Sequence, residues 1–183
     1  MAKRKPLTKK QILEQVRGTV VLKKYSKKSP FTTLATISNY ALWKNMQADI
    51  DELEEYNGKM AVVYEETEDP DVLEEMCEHL MEAYQIELTV TLHTPADWLK
   101  YKSNKFLMQQ VREQCLSANE LFITERRYMA ACLTVLEQLG KDAKYIQECK
   151  DHMMEYMDDK FEPKMMREEL KEETGLCIEE PER

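Results

Sequence analysis

The sequence predicts a helix-dominated α+β fold, with about six helices around a small sheet that contains a β-α-β unit. Three observations carry that expectation. Apolar residues recur at three- and four-residue steps along most of the chain, the spacing that keeps one helical face buried. Only 4 Gly and 6 Pro occur in 183 residues, too few for the many turns of an all-β fold. Residues 86–92 alternate strictly, with Ile86, Leu88, Val90 and Leu92 set against Glu87, Thr89 and Thr91, the pattern of a half-buried strand. A chain of this length buries roughly 70% of its unfolded surface and needs no disulfide or metal staple.

Residues 1–6 read as a basic tip. Thr8 and Gln11 then have capping-box spacing, with Leu7 and Ile12 as the matching staple, so a helix starts at Lys9 and ends near Gly18. The run 19–22 is β-branched enough for a short strand, and 23–29 is a basic loop. Ser29-Pro30 is a good N-cap and N1 pair. The helix it opens carries Leu34, Ile37, Ala41, Leu42, Met46, Ile50 and Leu53 and should close at Asn57-Gly58. The apolar run 60–64 favours a strand, and the acidic stretch 65–71 a surface loop. Asp69-Pro70 opens a helix with Leu73, Met76, Cys77, Leu80 and Tyr84 on one side. Strand 60–64, this helix and strand 86–92 together spell the β-α-β unit, with parallel pairing and a right-handed crossover.

Thr94-Pro95 caps a helical stretch that reaches about residue 160, with a break expected at Ser117-x-x-Glu120, a second capping box. A stripe from Leu121 through Met129, Cys132, Leu133 and Leu136 ends at Gly140. Asp142 caps a helix with Ile146, Cys149, Met153, Tyr156 and Met157, and Pro163 interrupts it. A short helix near 164–173 precedes Gly175. The organisation expected is a basic arm over 1–28, one helical α+β domain over 29–173, and an acidic tail over 174–183.

The net charge of −9 hides a strong segregation. Residues 1–28 hold ten Lys or Arg against Glu14 alone, and residues 49–87 hold fifteen Asp or Glu against Lys59 alone. Blocks of this kind bear on partners rather than on fold. The five cysteines are widely spaced with no Cys-x-x-Cys pair, so they read as reduced thiols, buried for the most part, in a cytoplasmic protein. Twelve Met residues fit a helical core. No apolar run approaches the ~20 residues of a membrane span, so no membrane partner is expected.

Catalytic patterns are sparse. His79 follows Glu75 by four residues and His152 follows Glu148 by four, but the doubled Glu-x-x-His of a dimetal bundle is missing. Pro70-Asp71 resembles the opening of a restriction-type nuclease motif, yet Glu87 is followed by Leu88 and Thr89 where a lysine would be needed. No phosphate-binding Gly loop, Gly-x-Ser-x-Gly or His-Glu-x-x-His occurs. The expectation is a non-enzymatic protein with no cofactor and no metal.

Nucleic acid has better support. Lys3, Arg4, Lys5, Lys9, Lys10, Arg17, Lys23, Lys24, Lys27 and Lys28 form an arm suited to phosphates, through affinity that falls steeply with salt. Lys100, Lys102 and Lys105 are interleaved with Trp98, Tyr101 and Phe106, a pattern suited to stacked bases. The acidic block would repel phosphate. On helix 70–84 its Glu74, Glu78 and Glu82 follow four-residue steps as a row of like charge, fit for a basic groove of another protein. The expected function is a regulatory accessory protein that engages nucleic acid or a nucleic-acid-binding protein. In charge and size alone it is similar to phage and mobile-element inhibitors of host nucleases, anti-CRISPR proteins among them. Three alternatives stand beside it: an acidic decoy without nucleic-acid affinity, a homo-oligomer like a phage small terminase subunit, and a metal-dependent enzyme using the 65–71 loop.

Overall fold

The structure, a computed structural model, describes residues 30–158 and 162–178. The helix expected from Lys9, the strand expected at 19–22 and the end of the acidic tail lie outside the described residues. Those described form seven helices and no strand: α1 (Pro30–Lys44), α2 (Ile50–Glu66), α3 (Pro70–Tyr84), α4 (Pro95–Leu99), α5 (Lys105–Gln138), α6 (Ala143–Met157) and α7 (Pro163–Thr174). The expected sheet and its β-α-β unit are therefore absent among the described residues, and the fold there is all-helical.

Both expected strands have a local reason to be something else. Residues 60–64 continue α2, because Met60 and Val63 extend the buried stripe begun by Leu53 and Tyr56 at helical steps. Gly58 does not stop the helix, and Asn57 is held inside it by a side-chain hydrogen bond to the Leu53 carbonyl at 2.8 Å. Residues 86–92 join neither a helix nor a strand, and Ile86 is buried with Leu88 and Val90 half-buried, so the alternation shows in burial as far as Val90 while Leu92 is exposed. Helices supply the burial instead of a neighbouring strand, and the Leu88 carbonyl accepts from Arg126 Nε of α5 at 2.8 Å.

Two expected helix boundaries also move. The helix from Pro30 stops at Lys44, and α2 starts afresh behind Asp49. Asp49 and Glu52 form a reciprocal capping box, with Glu52 N–H on Asp49 Oδ1 at 2.9 Å and Asp49 N–H on Glu52 Oε2 at 3.3 Å. Gln47 turns the chain between them with φ of 58°, a left-handed conformation rare outside Gly and Asn. The break expected at Ser117-x-x-Glu120 does not occur, and α5 runs unbroken for 34 residues. Neither Gly nor Pro stands in that stretch, so the box spacing has no breaker to act with.

The described chain falls into two compact units. The larger holds Pro30–Thr91 and the residues from Phe122 onward; the described part of the smaller is Leu92–Leu121. In the larger unit α1 is the central element, with every residue from Thr32 to Leu42 buried and α2, α6 and α7 packed around it. Several of its polar side chains are satisfied locally or in pairs, while the buried Thr32 hydroxyl has no hydrogen-bond partner among the described residues. Thr36 back-bonds to the Thr32 carbonyl at 2.8 Å, and Ser38 Oγ pairs with Tyr128 Oη of α5 at 2.7 Å. Asn39 and Asn57 exchange amide hydrogen bonds at 2.8 and 3.0 Å, which fixes the register of α1 on α2. A three-way clasp ties α1 to α7, with Tyr40 Oη and Lys44 Nζ each donating to Glu169 at 2.6 Å.

Candidate functional site

The aromatic–basic run at 98–106 belongs to the smaller unit, where a short helix, a tight turn and the start of α5 follow one another. Thr94 N–H donates to Asp97 Oδ2 at 2.8 Å and starts α4, with Pro95 at the position where its missing N–H costs nothing. That hydrogen bond, with Lys100 and His93 nearby, outweighs the opposing effect of burial and holds the Asp97 carboxyl below its ordinary pKa. Three successive tight turns then carry the chain onward, from Tyr101 N–H to the Trp98 carbonyl, Lys102 to Leu99 and Asn104 to Tyr101. Asn104 Oδ1 caps α5 by accepting from Leu107 N–H at 3.2 Å. Asn119 braces the entry, donating to the His93 carbonyl at 2.9 Å and accepting from His93 N–H at 2.7 Å.

On this braced platform the side chains divide by exposure. Trp98 and Tyr101 are half-buried, while Lys100, Lys102 and Lys105 are exposed. Phe106 is 72% exposed and Leu99 49% exposed. Lys100 Nζ lies 5.6 Å from the centre of the Tyr101 ring, a cation–π contact that keeps one cation over an aromatic face. Phe106 stands at the second residue of a 34-residue helix, where backbone N–H groups lack intrahelical partners and the helix dipole favours an anion. The structure thus brings together the three lysines and the aromatics that the sequence singles out. Asn119, which holds the platform from 26 residues away, has no local signature in the sequence.

The ten basic residues of the arm, Lys3, Arg4, Lys5, Lys9, Lys10, Arg17, Lys23, Lys24, Lys27 and Lys28, lie outside the described residues.

The acidic row on α3 is exposed but not uniform. Glu74 is engaged by Arg126, at 2.7 Å from a guanidinium that is itself largely covered. Glu78 and Glu82 are exposed and make no ion pair among the described residues. The exposed part of the row without an ion pair among the described residues is therefore Glu78 and Glu82, with Glu74 engaged in holding α3 on α5.

The histidines have partners other than the carboxylates four residues earlier. His79 Nε2 meets Glu137 at 2.8 Å, His93 lies 3.8 Å from Asp97, and His152 lies 4.0 Å from Glu155. The 65–71 stretch is the end of α2 and a tight turn, not an open loop, and Asp69 Oδ1 caps α3 by accepting from Asp71 N–H at 3.0 Å. Among the described residues no three His, Cys, Asp or Glu side chains gather as a metal site. No helix among them is long and apolar enough to cross a membrane. The chain matches no protein-family model, no curated protein and no solved structure.

Proposed function

We propose that this protein is a non-enzymatic accessory protein that binds nucleic acid through the Trp98–Phe106 platform and the basic arm. The observation that carries the reading is Phe106, an aromatic ring 72% exposed at a helix start, with exposed Lys102 and Lys105 beside it. Among the described residues no ring contact engages it, and it lies outside the hydrophobic core. Burial of Phe within the core would be worth about 1.5–3 kcal/mol, so a ring left in water forgoes that stabilisation. A base stacked on it recovers about 1–3 kcal/mol, and the lysines track the backbone beside it. The test is fluorescence anisotropy on a labelled oligonucleotide over a range of salt. Phe106→Ala should weaken binding by roughly five- to a hundredfold. Replacing Lys100, Lys102 and Lys105 by Gln should lower the salt slope by about two on a single strand. Unchanged affinity in both variants removes the platform from the reading.

A second reading rests on Glu78 and Glu82, exposed and unpaired among the described residues on the rigid α3. They supply a negative face for a basic groove, which fits an inhibitor or regulator that competes with nucleic acid for another protein. The two readings separate in one comparison. A decoy loses partner capture on Glu78→Lys with Glu82→Lys and never binds an oligonucleotide; a nucleic-acid binder loses oligonucleotide binding on Phe106→Ala.

A further inference from the structure

In the larger unit, three sulfur-bearing side chains meet where α5 packs on α6. Cys132 Sγ of α5 lies 3.6 Å from Met153 Sδ of α6, and Cys149, one helical turn before Met153, has its thiol in hydrogen-bonding contact with Cys132. All three residues are 0% exposed. Next to Cys132 stands Tyr56 of α2, whose fully buried hydroxyl finds no hydrogen-bond partner of good geometry. A buried hydroxyl left unpaired is costly, and native interiors rarely tolerate one without a reason. Its donor is placed to satisfy a sulfur that carries negative charge.

Two cleft-lining residues neighbour the sulfur-bearing ones along their own helices. Leu136 follows Cys132 by one turn of α5, and Tyr145 precedes Cys149 by one turn of α6. Both line a solvent-open cleft, together with Leu42, Ala48, Tyr56 and the ion pair Lys141–Glu52.

We infer that Cys132, Cys149 and Met153 form a three-sulfur site for a soft monovalent metal ion of the Cu(I) class, with Tyr56 as the hydrogen-bond donor to a bound thiolate. Two thiolates and a thioether select soft metals over Mg²⁺, Ca²⁺ or Mn²⁺, which prefer oxygen ligands. Binding releases the two thiol protons and leaves one net negative charge on the bound cluster, which the Tyr56 hydroxyl is placed to stabilise. The inference is independent of nucleic-acid binding, since every residue in it lies in the larger unit.

The test is an anaerobic Cu(I) titration of the full chain, carrying Cys177→Ser to remove the exposed thiol, against a chromophoric Cu(I) chelator. X-ray absorption reads the ligand set. One Cu(I) should be retained in an all-sulfur environment. Met153→Leu, which nearly conserves volume and leaves the core foldable, should weaken retention at least tenfold, and Tyr56→Phe by ten- to a hundredfold. Circular dichroism of both variants confirms the fold. Retention equal to the parent in both variants places the metal on other thiols and overturns the site, as does failure of the parent to hold Cu(I) against the chelator. A filled Tyr56 hydroxyl without metal affinity, seen as a bound water in a crystal structure, overturns it as well.

Discussion

Glu137 joins α3 to the end of α5, and removing its charge tests how the acidic helix is held. His79 Nε2 lies 2.8 and 3.0 Å from its two carboxylate oxygens, and Tyr84 Oη donates to Oε1 at 2.7 Å. Burial alone would raise the Glu137 pKa, but the hydrogen bonds from His79 and Tyr84 outweigh it and hold the carboxyl below its ordinary value. A hydrogen bond to a charged group contributes about 1.5–3 kcal/mol when well covered, and the open side of this cluster reduces that. Glu137→Gln keeps the shape and one acceptor oxygen, so a loss of about 1–2 kcal/mol is expected at neutral pH. For a chain of this size that lowers Tm by roughly 2–8 °C. The pH dependence has a definite sign. A carboxyl whose folded pKa is depressed contributes stability above its unfolded value, near 4.3, and loses it as pH falls through the folded value. Thermal melts of parent and variant should therefore differ at pH 6 and converge towards pH 3. Equal melting at pH 6, or a difference that persists undiminished at pH 3, refutes the account of Glu137 as a charge-dependent clasp.

Glu78→Lys with Glu82→Lys should leave Tm equal or higher, because it relieves like-charge repulsion one turn apart on α3, and should abolish capture of a basic partner in a pull-down. Glu74→Lys should behave differently, costing about 1 kcal/mol in denaturant melts because it sets a second cation against Arg126, which has lost its carboxylate. Deleting residues 1–28 should weaken duplex DNA retardation and flatten its salt dependence while circular dichroism stays helical; undiminished retardation removes the arm from the site. Added Mg²⁺ or a chelator for hard cations should leave Tm unchanged, since the Asp69 carboxylate is engaged in capping α3 and no metal-ligating cluster gathers among the described residues.

The elements most legible in the sequence are those with local punctuation. Pro30, Pro70, Pro95 and Pro163 each stand at the first position of a helix, Asp69 and Asp142 cap where the spacing places them, and Gly140 and Gly175 turn the chain with positive φ. The elements that differ share one cause: a local pattern takes its meaning from a tertiary partner that it does not contain. Alternation at 86–92 reports a chain with one covered side, and it reads the same whether a strand or a pair of helices does the covering. Asn57-Gly58 reads as a stop, yet the Asn57 amide is engaged by Asn39 eighteen residues earlier, and that pairing keeps it helical. Asp49-x-x-Glu52 was the missed local signal, a capping box within an apolar stripe that ran across it unbroken. The candidate platform divides along the same line. Its lysines and aromatics are adjacent in sequence and could be named from it. Which aromatic is left in water depends on packing: Trp98 and Tyr101 lean into their unit and Phe106 does not. A one-dimensional pattern carries residue type and spacing, but it carries no sign for exposure once apolar and basic residues alternate this closely. Phe106 is therefore where the structure adds most to the functional reading, because it shows which ring of the basic run is left in water.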